Sequence, residues 1–413
     1  MNEKELIYDW NTEGRVVKPS ARGVEFDDET LRDGLQSPSV IDPPTDDKVR
    51  ILHLMADLGI QAADLGLPGA GPRAREDVLV LAKEIRDAKL KVEPNCAART
   101  LKADIDPVIE VSQRVGIPIE VCTFLGSSPI RQYAEGWDMD HLLKLTEESV
   151  RYVVSQGMPI MYVTEDTTRA HPDTVRKLYK TAIECGARRV CVCDTVGHAT
   201  PQGVKNLLGY VSEVIKETGE KVKIDWHGHR DRGLSVPNAL AAIEAGADRV
   251  HATALGIGER VGNTPMDILL VNLKLLGWID QDLSRLPDYC KLVSKVSGVP
   301  VPKNYPVIGE DAFRTATGVH AAAVIKAKKK GHNWLADRVY SGVPAGMFGL
   351  EQGIEIGPMS GESNVSYWLE RRGIKPTPEL VEKIFDAAKN SNRILKDDEI
   401  MTLIRQNQPQ DER

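Results

Sequence analysis

Residues 225–234 read "DWHGHRDRGL", placing His227 and His229 one residue apart at the end of an apolar run. Side chains at i and i+2 of an extended strand leave the same face. Two imidazoles then meet at one point, which suits a divalent metal held by neutral ring nitrogens. The chain has nine histidines in 413 residues, so composition does not force this spacing. A bare H-x-H also fits two hydrogen-bonded polar histidines, and the rest of the chain has to choose between the two readings.

What positions the pair is a repeated strand-and-helix phrase. Between about residues 24 and 278, eight short apolar runs recur: "GVEFDDE", "IQAADLGLP", "LKVEPNCAA", "PIEVCTFLG", "PIMYVTED", "RRVCVCDTVG", "VKIDWHGH" and "ADRVHATALGIG". Amphipathic segments lie between them. In "HPDTVRKLYKTAIECG", Val175, Leu178, Tyr179, Ala182 and Ile183 repeat at helical spacing, and Gly186 stands at a C-terminal cap. In "TDDKVRILHLMADLG", Thr45 or Asp46 is expected to cap the start and Gly59 to close the end. Short strands alternating with helices imply a parallel sheet, and eight units in this length fit a (β/α)8 barrel better than a doubly wound sheet. The "GIGERVG" stretch has the spacing G-x-G-x-x-x-G and follows the eighth run, which argues against a dinucleotide loop. The expected organisation is an N-terminal arm (1–23), a barrel (24–280) and a mainly helical extension (281–413). Helices are expected there over 311–330, 363–372 and 377–391.

The bulk chemistry narrows the class of partner. Hydrophobic residues make up 41% and charged residues 27%, enough for a full core. A net charge of -7 with interspersed lysine and arginine argues against a nucleic-acid or anionic-membrane surface. No apolar run reaches the roughly 20 residues needed to span a bilayer, and the start "MNEKELIYDW" lacks a signal-peptide core. The six cysteines show no C-x-x-C, and runs such as "RVCVCD" read as buried thiols. A reduced, cytoplasmic protein is expected.

In such a barrel, working residues stand at the C-terminal ends of the strands. Five of those ends read "ETLRDGLQSP", "TEDTTR", "CDTVGHATP", "HGHRDRG" and "GIGERVGN". Asp33 is the hard oxygen donor able to complete a set with His227 and His229. Two imidazoles and a carboxylate leave about three positions of an octahedron for a chelating substrate and water. A structural zinc site would instead close with four protein ligands. Plainer roles stay open beside these. Arg32–Asp33 fits a strand-end ion pair, Glu165 a partner for Arg169, Thr195 a helix cap, and His320 a partly buried polar residue. Arg230, His251, His198 and His171 read as ordinary polar or supporting groups, and "KAKKKG" as a solvated charge run.

In that order, "DDETLRDGLQ", "TEDTTR", "CDTVGHATP", "HGHRDRG" and "GIGERVGN" resemble the metal-dependent family of 2-isopropylmalate synthase, homocitrate synthase and HMG-CoA lyase. The segment "GVHAAAVIKA" carries the resemblance into the extension. The resemblance implies a divalent cation (Mg, Mn or Zn), acetyl-CoA and a 2-oxoacid, condensed with release of CoA. It implies Asp33, His227, His229 and Asn263 at the metal and Arg32 against the developing oxyanion. Glu165 with His320 would take the methyl proton, with Tyr340 matching a tyrosine that follows in the synthases. Thr195 would donate to the oxoacid carboxylate, and Gln36 would orient the first-strand loop or the thioester. A homodimer, with the extension serving a neighbouring barrel, is expected on the same ground.

Leu35 in "RDGLQ" is lyase-like, yet the loop after the eighth run lacks the cysteine of the lyases, and the extension is a synthase feature. A 4-hydroxy-2-oxoacid aldolase would need neither "GER" nor the extension. "SSPIRQYAEGWDMD" resembles the homocitrate synthase loop and puts Arg131 where a distal carboxylate would be met. The remaining wording leans to an isopropylmalate-type synthase of leucine biosynthesis, with a homocitrate- or citrate-forming enzyme as the alternative. No counterpart of the leucine-binding C-terminal domain is present, so weak or absent control by leucine is expected.

Overall fold

The computed structural model describes residues 5–13 and 23–407. The arm expected over 1–23 falls largely outside these residues. Eight strands close a parallel barrel in chain order: β1 (Glu25–Asp28), β2 (Ala62–Asp64), β3 (Glu93–Arg99), β4 (Glu120–Gly126), β5 (Ile160–Glu165), β6 (Arg189–Asp194), β7 (Lys223–Gly228) and β8 (Arg249–Ala252). β8 pairs back on β1, with Asp27 opposite His251. This is the (β/α)8 architecture the eight runs imply, with each run supplying one strand.

The crossover helices bury the stripes that their spacing marks. In the helix Pro172–Glu184, Val175, Leu178, Tyr179, Ala182 and Ile183 are all buried. Each large side chain buried this way contributes roughly 1.5–3 kcal/mol. The cap expected at Thr45 or Asp46 is not made. The helix Thr45–Asp57 starts after Pro44 without a side-chain cap, and Thr45 Oγ1 donates to Asp77 Oδ1 at 2.5 Å instead. Asp77 is buried and also accepts from Lys48 at 2.7 Å, so burial of that carboxylate outweighs the cap.

Below the rim, the barrel interior is charged. Arg249 reaches Asp225 Oδ2 at 2.6 Å and Glu120 Oε2 at 2.7 Å, and Arg189 reaches the other Asp225 oxygen at 2.6 Å. Asn95 donates to both oxygens of Asp27 at 2.9 Å. Each buried charge is therefore met by an opposite charge or a donor, the condition under which burial is tolerated.

The contacts divide the chain into two compact units. The first holds the barrel to Asp282 and Asp288–Val299; the second holds Leu283–Pro287 and the residues from Pro300 onward. In the second unit the helix expected over 311–330 is shorter, Gly318–Lys329. Arg314–Thr315 instead pairs in parallel with Gly353–Ile354. Glu362–Arg371 and Pro378–Lys389 match the expected helices, and a further helix, Asp397–Arg405, packs with them. Their shared core includes Ile356, Val365, Trp368, Leu369, Ile384 and Ile400. No helix among the described residues is long and apolar enough to cross a membrane.

Candidate metal centre and active site

A cavity of about 380 Å³ opens at the C-terminal mouth of the barrel. Strand alternation decides what faces it. On β5, Met161, Val163 and Glu165 line it; on β6 and just beyond, Cys191, Cys193 and Thr195; on β7 and just beyond, His227 and His229. The loop after β1 contributes Arg32, Asp33 and, at the exposed edge, Gln36.

Three of these side chains converge. His227 Nε2 and His229 Nε2 are 3.3 Å apart, and Asp33 Oδ2 lies 3.5 Å from the first and 3.4 Å from the second. All three residues are buried, and Asp33 Oδ2 accepts no hydrogen bond. Burial alone would raise the Asp33 carboxyl, but the Arg32 guanidinium and the two imidazoles hold it at about 2. Burial pushes His227 down from its ordinary value, and burial with the neighbouring ring takes His229 down to about 4. A carboxylate and two neutral rings with converging lone pairs form a donor set that fits a divalent cation.

The loop after β8 brings Asn263 to the same point. His229 and Asn263 form an isolated antiparallel bridge, and Asn263 Nδ2 donates to Ile257 O at 3.2 Å. Its Oδ1 is buried without a hydrogen bond. The glycines of "GIGERVGN" make this tight return. Gly262 has φ +103°, and a Cβ there would overlap Gly256 O; a Cβ at Gly258, φ +142°, would strike Asn263 Nδ2. Their spacing serves chain reversal, not a phosphate.

Arg32 is held by three carboxylates: Glu29, Asp64 Oδ2 at 3.0 Å and Asp33 Oδ1 at 3.8 Å. It is thus more than one half of an Arg32–Asp33 pair. Glu165 is half-buried, and burial raises its carboxyl above the ordinary range despite the opposing pull of Arg131 and Arg32. Arg169 is bonded to Asp166 instead, its Nη2 at 2.7 Å from Oδ2. Thr195 does not cap a helix, since Thr200 caps Pro201–Thr218. Thr195 Oγ1 accepts from Asp166 N at 2.8 Å, which leaves the hydroxyl proton to donate.

Arg131 lies apart from the three converging groups. Its side chain is exposed, 3.2 Å from Glu135, in an adjoining groove shared with Glu165 and Thr195. His320 and Tyr340 belong to the second unit, both exposed, with rings stacked 4.1 Å apart.

Residue patterns alone underrate three groups. Glu29 and His251 are buried at the cavity, and Arg260 lines it while bonded to Asp231 at 2.8 Å and to Thr195 O at 2.7 Å. Period-2 alternation with the strand residues would have found His251, two positions beyond Arg249. Nothing in "DDETL" marks Glu29 beyond its neighbours.

A family model described as HMGL-like matches residues 23–293. The chain belongs to that family, and it is an enzyme of it. Among curated relatives, a homocitrate synthase of Methanopyrus kandleri is 32% identical over 90% of both chains. A 2-isopropylmalate synthase of Sulfolobus acidocaldarius is 31% identical over 93% of this chain and 96% of its own. Among solved structures, an HMG-CoA lyase of Bacillus subtilis superposes with TM-score 0.57 at 19% identity, covering 69% of this chain and 97% of its own. That likeness is one of fold.

Proposed function

We propose that the enzyme condenses acetyl-CoA with a 2-oxoacid and releases CoA by thioester hydrolysis. The observation that carries this reading is the convergence of Asp33, His227 and His229 beside Arg32 and Glu165 in one cavity. A divalent cation held by Asp33, His227 and His229, with Asn263 beside them, would supply Lewis acidity toward the ketone of a chelating oxoacid. Arg32 then offsets the negative charge that develops as the ketone oxygen becomes an alkoxide. Glu165 takes a proton from the acetyl methyl, and burial, which raises its carboxyl above the ordinary value, makes it a stronger base than a solvated carboxylate. Thr195 donates its hydroxyl proton to the oxoacid carboxylate, and Gln36, at the exposed edge of the mouth, orients the first-strand loop or the thioester. The stacked His320 and Tyr340 serve the same proton transfer in a homodimer, as the resemblance implies.

The acceptor is a branched 2-oxoacid, giving a 2-isopropylmalate-type product. Support comes from the apolar, polarisable wall built from Cys122, Met161, Cys191, Cys193 and Val163. The second reading, a dicarboxylic acceptor, is favoured by Arg131 in the groove that shares Glu165 and Thr195. Release of free thiol from acetyl-CoA, measured with a panel of oxoacids and with or without chelator, tests both. Turnover with 2-oxoisovalerate that chelator abolishes is expected. Turnover confined to 2-oxoglutarate or oxaloacetate moves the assignment to the second reading, and Arg131→Ala should then raise KM for diacids about tenfold or more. No thiol release with any oxoacid rejects condensation.

A further inference from the structure

The metal-facing histidines are not held alike. His229 Nδ1 is buried and meets no hydrogen-bond partner. His227 Nδ1 faces Glu29 Oε1 at 3.1 Å. The same oxygen meets His251 Nδ1 at 2.6 Å, and the far side of that second ring, Nε2, meets Asp225 Oδ2 at 3.0 Å. The remaining Glu29 oxygen pairs with Arg32. Glu29 is 3% exposed, so none of these contacts is made at a solvated surface.

We propose that Glu29 is a positioning residue, fixing through its carboxylate both the tautomer of His227 and the seat of Arg32. The inference rests on the metal-dependent reading above. A carboxylate only accepts, so the proton of the neutral His227 ring must sit on Nδ1. Nε2 then carries the lone pair, and Nε2 is the atom that converges with His229 and Asp33. Had the proton been on Nε2, the ring would offer the cation an N–H and face Glu29 with a lone pair. His251 braces the arrangement from behind. Its two nitrogens lie between the Glu29 and Asp225 carboxylates, so Glu29 cannot swing away without breaking a chain that runs to Asp225 and on to Arg249. Arg32 is tied to the same carboxylate. One residue thereby couples the orientation of a metal ligand to that of the group set against the oxyanion.

Glu29, His227 and His251 are also close enough together to be read as a ligand set themselves. The contacts argue otherwise. Glu29 Oε1 meets both His227 and His251 and Oε2 faces the Arg32 guanidinium, so a cation there would displace the proton from His227 Nδ1 and sit against a fixed positive charge. Supporting groups of this kind change metal affinity by about 10–100-fold when removed, whereas loss of a ligand costs more.

The test is Mn²⁺ binding to the full-length protein, followed by EPR, with Co²⁺ absorption at saturating metal as the second readout. Glu29→Gln keeps an acceptor of the same shape but loses the charge. It is expected to raise the Mn²⁺ Kd about 10–100-fold at unchanged stoichiometry and to shift the Co²⁺ bands. His229→Ala should bring binding below detection. Unchanged Kd and bands in Glu29→Gln overturn the positioning role. Full binding by His229→Ala together with none by Glu29→Gln makes Glu29 a ligand and overturns it equally. Absence of Mn²⁺ binding by the unaltered protein instead removes the metal-dependent reading itself. If Glu29→Gln does not fold, ¹⁵N-histidine NMR of the unaltered metal-free protein decides. A proton on Nδ1 of His227 supports the proposal, and a proton on Nε2 rejects it.

Discussion

The two sides of the barrel mouth are built from opposite chemistry. The side formed by β1, β7 and β8 carries Glu29, Arg32, Asp33, His227, His229 and His251, tied into one network of ion pairs and hydrogen bonds. The side formed by β4, β5 and β6 carries Cys122, Phe124, Met161, Val163, Cys191 and Cys193, which offer surface and shape. All these groups line one cavity, the first set from β7, β8 and the loops after β1 and β7, the second from the strands β4, β5 and β6. Strand alternation aims the second set inward, whereas the first set also draws on the loops that follow β1 and β7. A polar side fixes protonation states and charge, while a soft side selects by fit. Loss on the first should be catastrophic and indifferent to the acceptor, and change on the second should be moderate and acceptor-specific.

The largest effect is expected at the convergence point. Asp33→Ala removes the oxygen donor and leaves Arg32 with less compensation. Turnover should fall by about 10³-fold or more with every acceptor, matching the effect of chelator on the unaltered enzyme. Residual activity within about tenfold would detach catalysis from this side of the mouth.

Glu165 is the ionisable group of the second side, at the end of the strand that carries Met161 and Val163. As a base it acts only when ionised, so turnover should fall as pH drops through its raised carboxyl pKa. That acid limb should lie above the ordinary carboxylate range. Glu165→Gln should cost about 10²–10⁴-fold in kcat and erase the limb. A kcat profile with the same limb in Glu165→Gln would assign it to another group.

How much of this division the sequence discloses depends on what each residue does. Eight apolar runs and the helical stripe from Val175 to Ile183 announce the barrel because burial imposes period on them. The His227–His229 pair and Asp33 stand out because rare, ionisable residue types are gathered at strand ends. Arg249, Asp225 and Asp27 give no such sign. Their charges lie in apolar-looking runs, and only barrel closure brings them against one another. Glu29 is hidden for the same reason: its partners His227 and His251 are 198 and 222 residues away in the chain. Thr45 shows the converse, a residue with a strong local preference that a distant buried carboxylate overrides.

The smallest effect, and the one that separates the two sides most sharply, is expected at Val163. Its side chain lines the cavity and packs against the cluster of Cys122, Met161, Cys191 and Cys193. Val163→Ala removes methyl groups from a surface that carries no charge, so metal binding and the Glu165 limb should be untouched. What changes is room. An acceptor one carbon longer than the preferred one should gain relative to it, because one methylene in an apolar pocket is worth about 1–3 kcal/mol, or roughly 10–200-fold in kcat/KM ratio. The measurement is kcat/KM for a homologous series of 2-oxoacids. A uniform loss across the series would mean that this wall supports the fold without touching the acceptor, and that selection is made elsewhere at the mouth.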